Sequence, residues 1–431
     1  MLIPKFTGRL SRFPLCCAAL LLASVAGTVF AEPLSFERAL ALAVRETPML
    51  RAEAAQIDAA RQMAIPAGAL PDPKLVLGID NLPIEGPDRF SLTRDGMTMQ
   101  RIGLMQEFPN GAKRGARVAA AQGRIALSEA QIRITRLAVL RETALAWIAR
   151  DAVERQLARI DALDSENRLF DAAVRARLAG GKGSALDAVA PRQEAAMIAS
   201  RRDELAARRQ QAIAALKRWV GPRAEAPLTG DAPDWPIAQA TLEHALHGHP
   251  ELAIFDPKGR VLDAEVAEAR AEKQPDWALE LAYQKRGAQF DDMAMAQVSF
   301  DLPVFAASRQ DPKIAAKLAE RESLNAEREA VLREHAAMLE ADFAEYQRLA
   351  SAVKRQREVL LPLADEKVDL ALAGWRGGKG ELADLAMARR ERIDAELMAI
   401  ALEGERRQMA ARLHYAYSEP AYSEPTVSGE K

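Results

Sequence analysis

Cysteine is nearly absent from this sequence. Its only two, Cys16 and Cys17, stand side by side in an apolar leader. The chain beyond residue 31 therefore has no disulfide framework, no Cys-based zinc site and no thiol nucleophile, and its stability must come from packing. Aromatic residues are scarce at 5%, which is little for several ordinary globular cores, whereas Ala, Arg, Glu and Leu dominate and favour long helices. A basic excess is also missing. The 59 basic and 61 acidic residues nearly balance, and losing Lys5, Arg9 and Arg12 with the leader makes the remainder more negative, which speaks against a nucleic-acid partner.

Several motifs of catalysis are missing as well. There is no Gly-x-Ser-x-Gly elbow, no His-Glu-x-x-His pair and no convergent polar set, so the chain reads as a non-enzyme with no cofactor. The Gly-Lys sequences at 181–182 and 378–379 lack both the upstream glycine and the following Ser or Thr of a phosphate loop. The three clustered histidines, His244, His247 and His249, have no cysteine and no evident carboxylate set beside them. They read as ordinary surface residues, with no metal site expected. Met97, Met99 and Met105 alternate along one strand pattern and read as packing rather than as a soft-metal relay.

What is present begins with residues 1–31, where three basic residues precede an apolar stretch from Leu15 to Val29 and a Val-Phe-Ala end before Glu32. That is the form of a cleaved secretory signal, and no lipobox precedes either cysteine. Beyond it the sequence repeats itself at an offset near two hundred residues. Glu46-Thr47-Pro48-Met49-Leu50 faces His249-Pro250-Glu251-Leu252, and Leu70-Pro71-Asp72-Pro73 faces Gln274-Pro275-Asp276-Trp277. Gly181-Lys182-Gly183-Ser184-Ala185-Leu186-Asp187 faces Gly378-Lys379-Gly380-Glu381-Leu382-Ala383-Asp384. Three matches in the same order predict a duplication, 32–220 and 237–415, joined by a Pro-rich linker at 221–236.

Each half alternates in period. Strand hairpins are expected at about 74–108 and 276–305, where Leu75, Leu77 and Ile79 alternate with small or polar residues, as do Trp277, Leu279, Leu281 and Tyr283, and Ala294, Ala296, Val298, Phe300 and Leu302. Helical patterns then run from Lys113 to Leu178 and from Pro312 to Leu372, about 90 to 100 Å each at about 1.5 Å per residue. Their apolar residues keep a seven-residue beat: Ile125, Ile132, Val139, Ala146, Val153, Ile160, and Leu332, Leu339, Tyr346, Val353, Leu360. Each ends at a glycine-rich turn, from which a second helix returns, giving helical hairpins over about 113–220 and 312–415. The Ala-Tyr-Ser-Glu-Pro repeat at 416–425 reads, with the residues after it, as a disordered tail over 416–431.

Two strand hairpins cannot close a sheet in lipid, because open edges leave backbone groups unsatisfied. Closure requires oligomerisation, and three copies would supply a twelve-stranded barrel above a helical tube. The alternative of another class is a soluble periplasmic coiled-coil scaffold.

This order of elements, twice over, resembles the TolC family of outer-membrane efflux proteins across nearly the whole chain after the leader. Leu70-Pro71-Asp72-Pro73 and Met99-Gln100-Arg101-Ile102-Gly103-Leu104-Met105-Gln106-Glu107-Phe108-Pro109, with Lys113-Arg114, look like the heavy-metal RND efflux branch of the CusC and CzcC kind. The resemblance implies a mostly α protein with a small membrane β-barrel. It implies a homotrimer in the outer membrane with most of the chain in the periplasm, partnered by a periplasmic adaptor (membrane fusion protein) and an inner-membrane RND pump. The duct itself would be passive. A TolC-like duct for drug efflux or type I secretion has the same architecture. The resemblance further implies that the glycine turns lie at a periplasmic aperture or adaptor-docking tip, with Asp187, Asp384, Gly181, Lys182, Gly378, Lys379, Trp375 and Met387 there. Asp384 matches the first of two pore aspartates, Met387 stands where the second would be, and Gly380 occupies a position that holds a gating arginine in some members. A simpler role for both aspartates is to stabilise the first turn of a helix.

Overall fold

Asn110 stands two residues past the end of a strand and caps the longest helix of the described residues. Its Oδ1 accepts the Lys113 N–H at 2.9 Å, while its Nδ2 donates to the Asp276 carboxylate at 2.9 Å and to the Ala271 carbonyl at 3.1 Å. One side chain thus caps a helix and ties it to the other half of the chain. The computed structural model describes residues 32–417. The signal segment and residues 418–431 of the expected tail lie outside the described residues.

The described chain runs α1 (Phe36–Glu46), α2 (Pro48–Ala64), β1 (Lys74–Asp80), β2 (Met99–Phe108), α3 (Gly111–Ala179), α4 (Val189–Val220), α5 (Gln239–Leu246), α6 (Pro250–Ala253), α7 (Phe255–Ala271), β3 (Trp277–Lys285), β4 (Met293–Phe300), α8 (Gln310–Arg355), α9 (Leu361–Arg376) and α10 (Leu382–Tyr417). At 69 residues, α3 extends for about 100 Å. The four strands form one antiparallel sheet in the order β1-β2-β3-β4, so β2 and β3, from opposite halves of the chain, pair in the middle. Both β1 and β4 are edges.

The main core lies halfway along α3, where the long helices meet the segments that flank them. Trp147 is fully buried, edge-on to Phe36 with ring centroids 5.5 Å apart, and its indole N–H donates to the Leu34 carbonyl at 3.3 Å. The Pro-rich stretch is part of this core. Ala224, Ala226, Ala232 and Trp235 are buried in it, and the buried Arg150 guanidinium donates to the Ala224 carbonyl at 2.5 Å. With Glu154 also pairing at 2.9 Å, Arg150 has partners for the charge that burial would otherwise penalise.

Three boundaries differ from the sequence reading. Leu360 was expected on the heptad seam but is exposed, because a π-helical turn at Gln356–Leu360 separates α8 from α9. Wider than an α-turn, it moves later residues out of the preceding register. Its Gln356 is buried and donates to the Ala395 carbonyl of α10 at 2.9 Å. The second strand begins only at Met99 and the fourth stops at Phe300, leaving Met97 and Leu302 outside the sheet. Finally, Ala416 and Tyr417, placed in the tail by their repeat, belong to α10. Tyr417 is buried, and its hydroxyl donates to the His335 carbonyl at 3.2 Å.

Candidate functional site

Both long helical runs end in the same backbone motif. After α3 the Gly181 N–H bonds to the Leu178 carbonyl at 2.9 Å and the Lys182 N–H to the Arg177 carbonyl at 3.0 Å. After α9 the Gly378 N–H bonds to Trp375 at 3.2 Å and the Lys379 N–H to Gly374 at 3.0 Å. These are paired Schellman bonds, and they need a left-handed residue just past the helix. Gly181 and Gly378, both at φ 70°, supply it.

The structure separates the predicted tip residues by what holds them. Asp187 serves the turn itself: its Oδ2 accepts the Ser184 N–H at 3.0 Å, in a capping box that Ser184 completes. Trp375 is buried against Phe170, with ring centroids 6.3 Å apart. By contrast Asp384 is exposed in the first turn of α10 and makes no ion pair among the described residues. Met387, one turn further, is also exposed, as are Lys182 and Lys379. Leu186 adds an apolar side chain that is 75% exposed. The tip is therefore a tied interior carrying an unpaired carboxylate, two lysines and bare apolar groups on its outside.

Arg177 is the tie. Its Nη1 donates to the Trp375 carbonyl at 2.6 Å, its Nε donates to the Lys182 carbonyl at 3.0 Å, and its guanidinium carbon lies 4.8 Å from the Trp375 ring centroid. A second tie lies deeper. Glu194 of α4 is buried and paired with Arg389 of α10 at 2.7 Å, and Arg389 in turn covers the Phe170 ring at 4.7 Å. The sequence reading named neither arginine. No local signal marked Arg177, which has glycine, Gly374, at the equivalent place in the second turn.

At the far end of α3 the sheet is inside-out for a water-soluble protein. One face carries Leu75, Leu77 and Ile79 of β1, Ile102 and Leu104 of β2, Leu281 and Tyr283 of β3 and Val298 of β4, all half or more exposed. The opposite face carries Asp80, Arg101, Glu280 and Gln284, and Glu280 and Gln284 are buried. Arg101 lies 3.5 Å from both Asp80 and Glu280, across three strands, and Gln284 donates to Asp80 at 3.2 Å. Phe108, Trp277 and Phe300 pair in register across the sheet at one end of its apolar face, with the first two stacked at 4.2 Å. Among the described residues, no helix is long and apolar enough to cross a membrane.

The histidines fall differently from expectation. His244 and His247 are exposed, as expected of surface residues. His249 is buried, and its neighbour is His335 of α8, with ring centroids 4.2 Å apart. His249 Nδ1 accepts the Glu251 N–H at 3.2 Å, capping α6, and His335 Nε2 lies 3.0 Å from a Glu251 carboxylate oxygen. Burial first, then the His335 ring, push the His249 imidazole down to about 4, so it is neutral near pH 7.

The chain matches no protein-family model and no curated protein sequence. Its fold does match solved structures. A membrane protein from Pseudomonas aeruginosa superposes with a TM-score of 0.75 at 20% identity, over 89% of this chain and 90% of that one. CusC, described in terms of transmembrane channel formation, gives 0.74 at 15% identity over 89% and 91%. The outer membrane protein VceC from Vibrio cholerae gives 0.72 at 18% identity over 89% and 95%. The fold is thus the TolC-like channel fold, mostly long helices with a small β portion.

Proposed function

We propose that this protein is one protomer of a trimeric outer-membrane efflux duct, built from two TolC-type repeats at 32–220 and 237–415. The observation that carries the reading is the inverted sheet: aliphatic side chains on the exposed face, an Arg–Asp–Glu–Gln cluster on the other, and two unpaired edges. A membrane barrel strand has this alternation, apolar toward lipid and polar toward the lumen. Aromatic residues at the ends of the lipid face form interfacial girdles in such barrels, and the row Phe108, Trp277, Phe300 suits that place. Edges in lipid must be closed, so β1 of one protomer pairs with β4 of the next. The long hairpins then form a tube whose tip meets a periplasmic adaptor, itself coupled to an inner-membrane RND pump.

The duct is passive: it supplies an aqueous path, and the pump supplies energy and most substrate choice. Its cargo, in this reading, is heavy-metal cations. The resemblance of the 70–73 and 99–114 segments to the heavy-metal branch and the unpaired Asp384 carboxylate at the tip support it. Three symmetry-related copies of that carboxylate attract cations. Opening is a splaying of the tip helices that adaptor docking favours.

Fractionation of the expressed full chain, sizing in detergent and planar-bilayer conductance of the purified species test this reading. The expected result is a detergent-dependent outer-membrane trimer that conducts. A salt-extractable monomer or dimer without conductance would overturn it in favour of a soluble scaffold.

A further inference from the structure

Halfway along the molecule, far in sequence from both the tip and the sheet, three metal-competent side chains converge. One ring nitrogen from each of His249 and His335 and one carboxylate oxygen of Glu251 all lie within 4.8 Å of one another. We propose that these three residues form a binding site for one divalent borderline cation, of the zinc(II) and copper(II) class, which clamps the segment entering α6 to the long helix α8.

The geometry is close to what such an ion needs. Zinc–nitrogen and zinc–oxygen bonds of about 2.0–2.2 Å place neighbouring ligands of a tetrahedron about 3.3 Å apart, and Glu251 Oε2 already stands 3.0 Å from His335 Nε2. The two rings are held from behind. His335 has its carbonyl bonded by the Tyr417 hydroxyl at 3.2 Å, and Leu242, Leu246, Leu339 and Leu413 form the buried cluster beside it. His249 is held at the start of α6 by its Nδ1 bond to Glu251 N. That bond leaves the ring proton on Nε2, so the ion competes with the cap for Nδ1. Only Glu251 is free to adjust: its side chain is 48% exposed, so it can close on an ion and leaves a solvent-facing position for a fourth, water ligand.

The donor set also sets the ion's class. Two imidazoles and one carboxylate suit zinc(II), nickel(II) and copper(II), whereas calcium and magnesium take all-oxygen sites and soft monovalent ions select sulfur. Among the described residues, no cysteine belongs to this cluster. A clamp here fixes the start of α6 to the middle of α8, beside the last residue of α10. The site rests on these three residues alone, and it stands whether or not the duct carries metals.

The test is calorimetry and thermal unfolding of the full chain, detergent-solubilised and stripped with a chelator, with zinc(II) as the probe. Expected are one ion bound per chain, a rise in Tm on binding, and at least about a 100-fold loss of affinity in Glu251→Gln and in His335→Gln, since even groups behind the ligands cost up to about that much. Glu251→Gln changes a half-exposed side chain and should retain the native circular dichroism, which separates loss of binding from loss of fold. Copper(II) in the same protein should give an electron paramagnetic resonance spectrum with two equatorial nitrogens. Absence of saturable zinc binding would overturn the site. So would binding unchanged in Glu251→Gln, or binding lost in the His244→Gln, His247→Gln double variant, which would put the ion on the exposed histidines.

Discussion

Arg177, on the last turn of the first long helix, donates a 2.6 Å hydrogen bond to the carbonyl oxygen of Trp375, on the last turn of the second, and lies over its indole ring. The same guanidinium holds the carbonyl of Lys182 in its own turn. One planar group therefore fixes two glycine turns to each other, a task that needs several donors in a fixed fork and that lysine cannot perform. Arg177→Ala is expected to cost the tip about 1–3 kcal/mol of local stability, from the lost charge-assisted bonds and the ring contact. Arg177→Lys should recover little of it. Hydrogen exchange at the amides of Gly181, Lys182 and Gly378 measures the loss. If the tip gates a channel, the same variants should conduct more at rest. Unchanged exchange in both would show that the two turns hold together without the arginine.

A second joint lies where the sheet meets the helices. Asp276, just before β3, accepts the Lys113 ammonium at 2.8 Å and the Asn110 backbone N–H at 2.8 Å. Burial opposes its charge, but Lys113 and the Asn110 donors outweigh burial and hold its pKa below the ordinary carboxylate value. The unfolded chain thus binds this proton more readily than the folded one. The joint's contribution is full above the unfolded value of about 3.9 and is lost as pH falls through the depressed folded value. Asp276→Asn should therefore lower Tm near neutral pH, and the gap from the parent should narrow on acidification below about 4. A gap that stays constant with pH would mean that the carboxylate's charge does not hold the joint.

The sheet makes the membrane reading testable residue by residue. Leu281 lies on the exposed aliphatic face, and Gln284, three residues on in the same strand, faces the polar cluster. Leu281→Lys should cost about 2–4 kcal/mol if it faces the bilayer midplane and should reduce the amount of trimer recovered from membranes. Gln284→Lys should leave recovery unchanged and shift conductance. Equal recovery for both variants would remove the sheet from lipid.

Much of this architecture could be read from the sequence, for identifiable reasons. The glycine turns repeat as Gly-Lys-Gly, and Gly181 and Gly378 do sit at matching left-handed positions. Strand alternation gave the exposed face, because Leu75, Leu77 and Ile79 are spaced by the two-residue period of a strand. The heptad held at Val139, Ala146 and Ile160, which are buried, and failed at Leu360, where a π-turn resets the register just ahead of Pro362, a proline that lacks the N–H an α-turn would use and that the heptad pattern alone does not register. Contacts between elements distant in the chain were the least legible. His249 looked like one of three neighbouring surface histidines, yet its partner His335 lies 86 residues away and meets it only because α6 packs against α8. Arg177 and Trp375 likewise share no local pattern.

The last prediction concerns the residue that the resemblance singled out and the structure leaves unpaired. Asp384 shares its place in the repeat with Asp187, but the two differ in what they do: Asp187 closes a capping box on Ser184, and Asp384 caps nothing and faces solvent. Replacing Asp187 by Ala should therefore act on stability, costing about 0.5–2 kcal/mol as loss of a cap does. Replacing Asp384 by Ala removes only the weaker attraction of a carboxylate for a helix N-terminus, about 0.3–1 kcal/mol. If three copies of Asp384 ring an aperture, their loss should lower cation preference in planar-bilayer reversal potentials while trimers form as before. The effect should shrink as salt screens the ring, since charges in open water lose sight of each other beyond about 10 Å at 0.1 M ionic strength. Reversal potentials that match the parent at low salt would take Asp384 out of the conduction path and leave it as a docking residue at most.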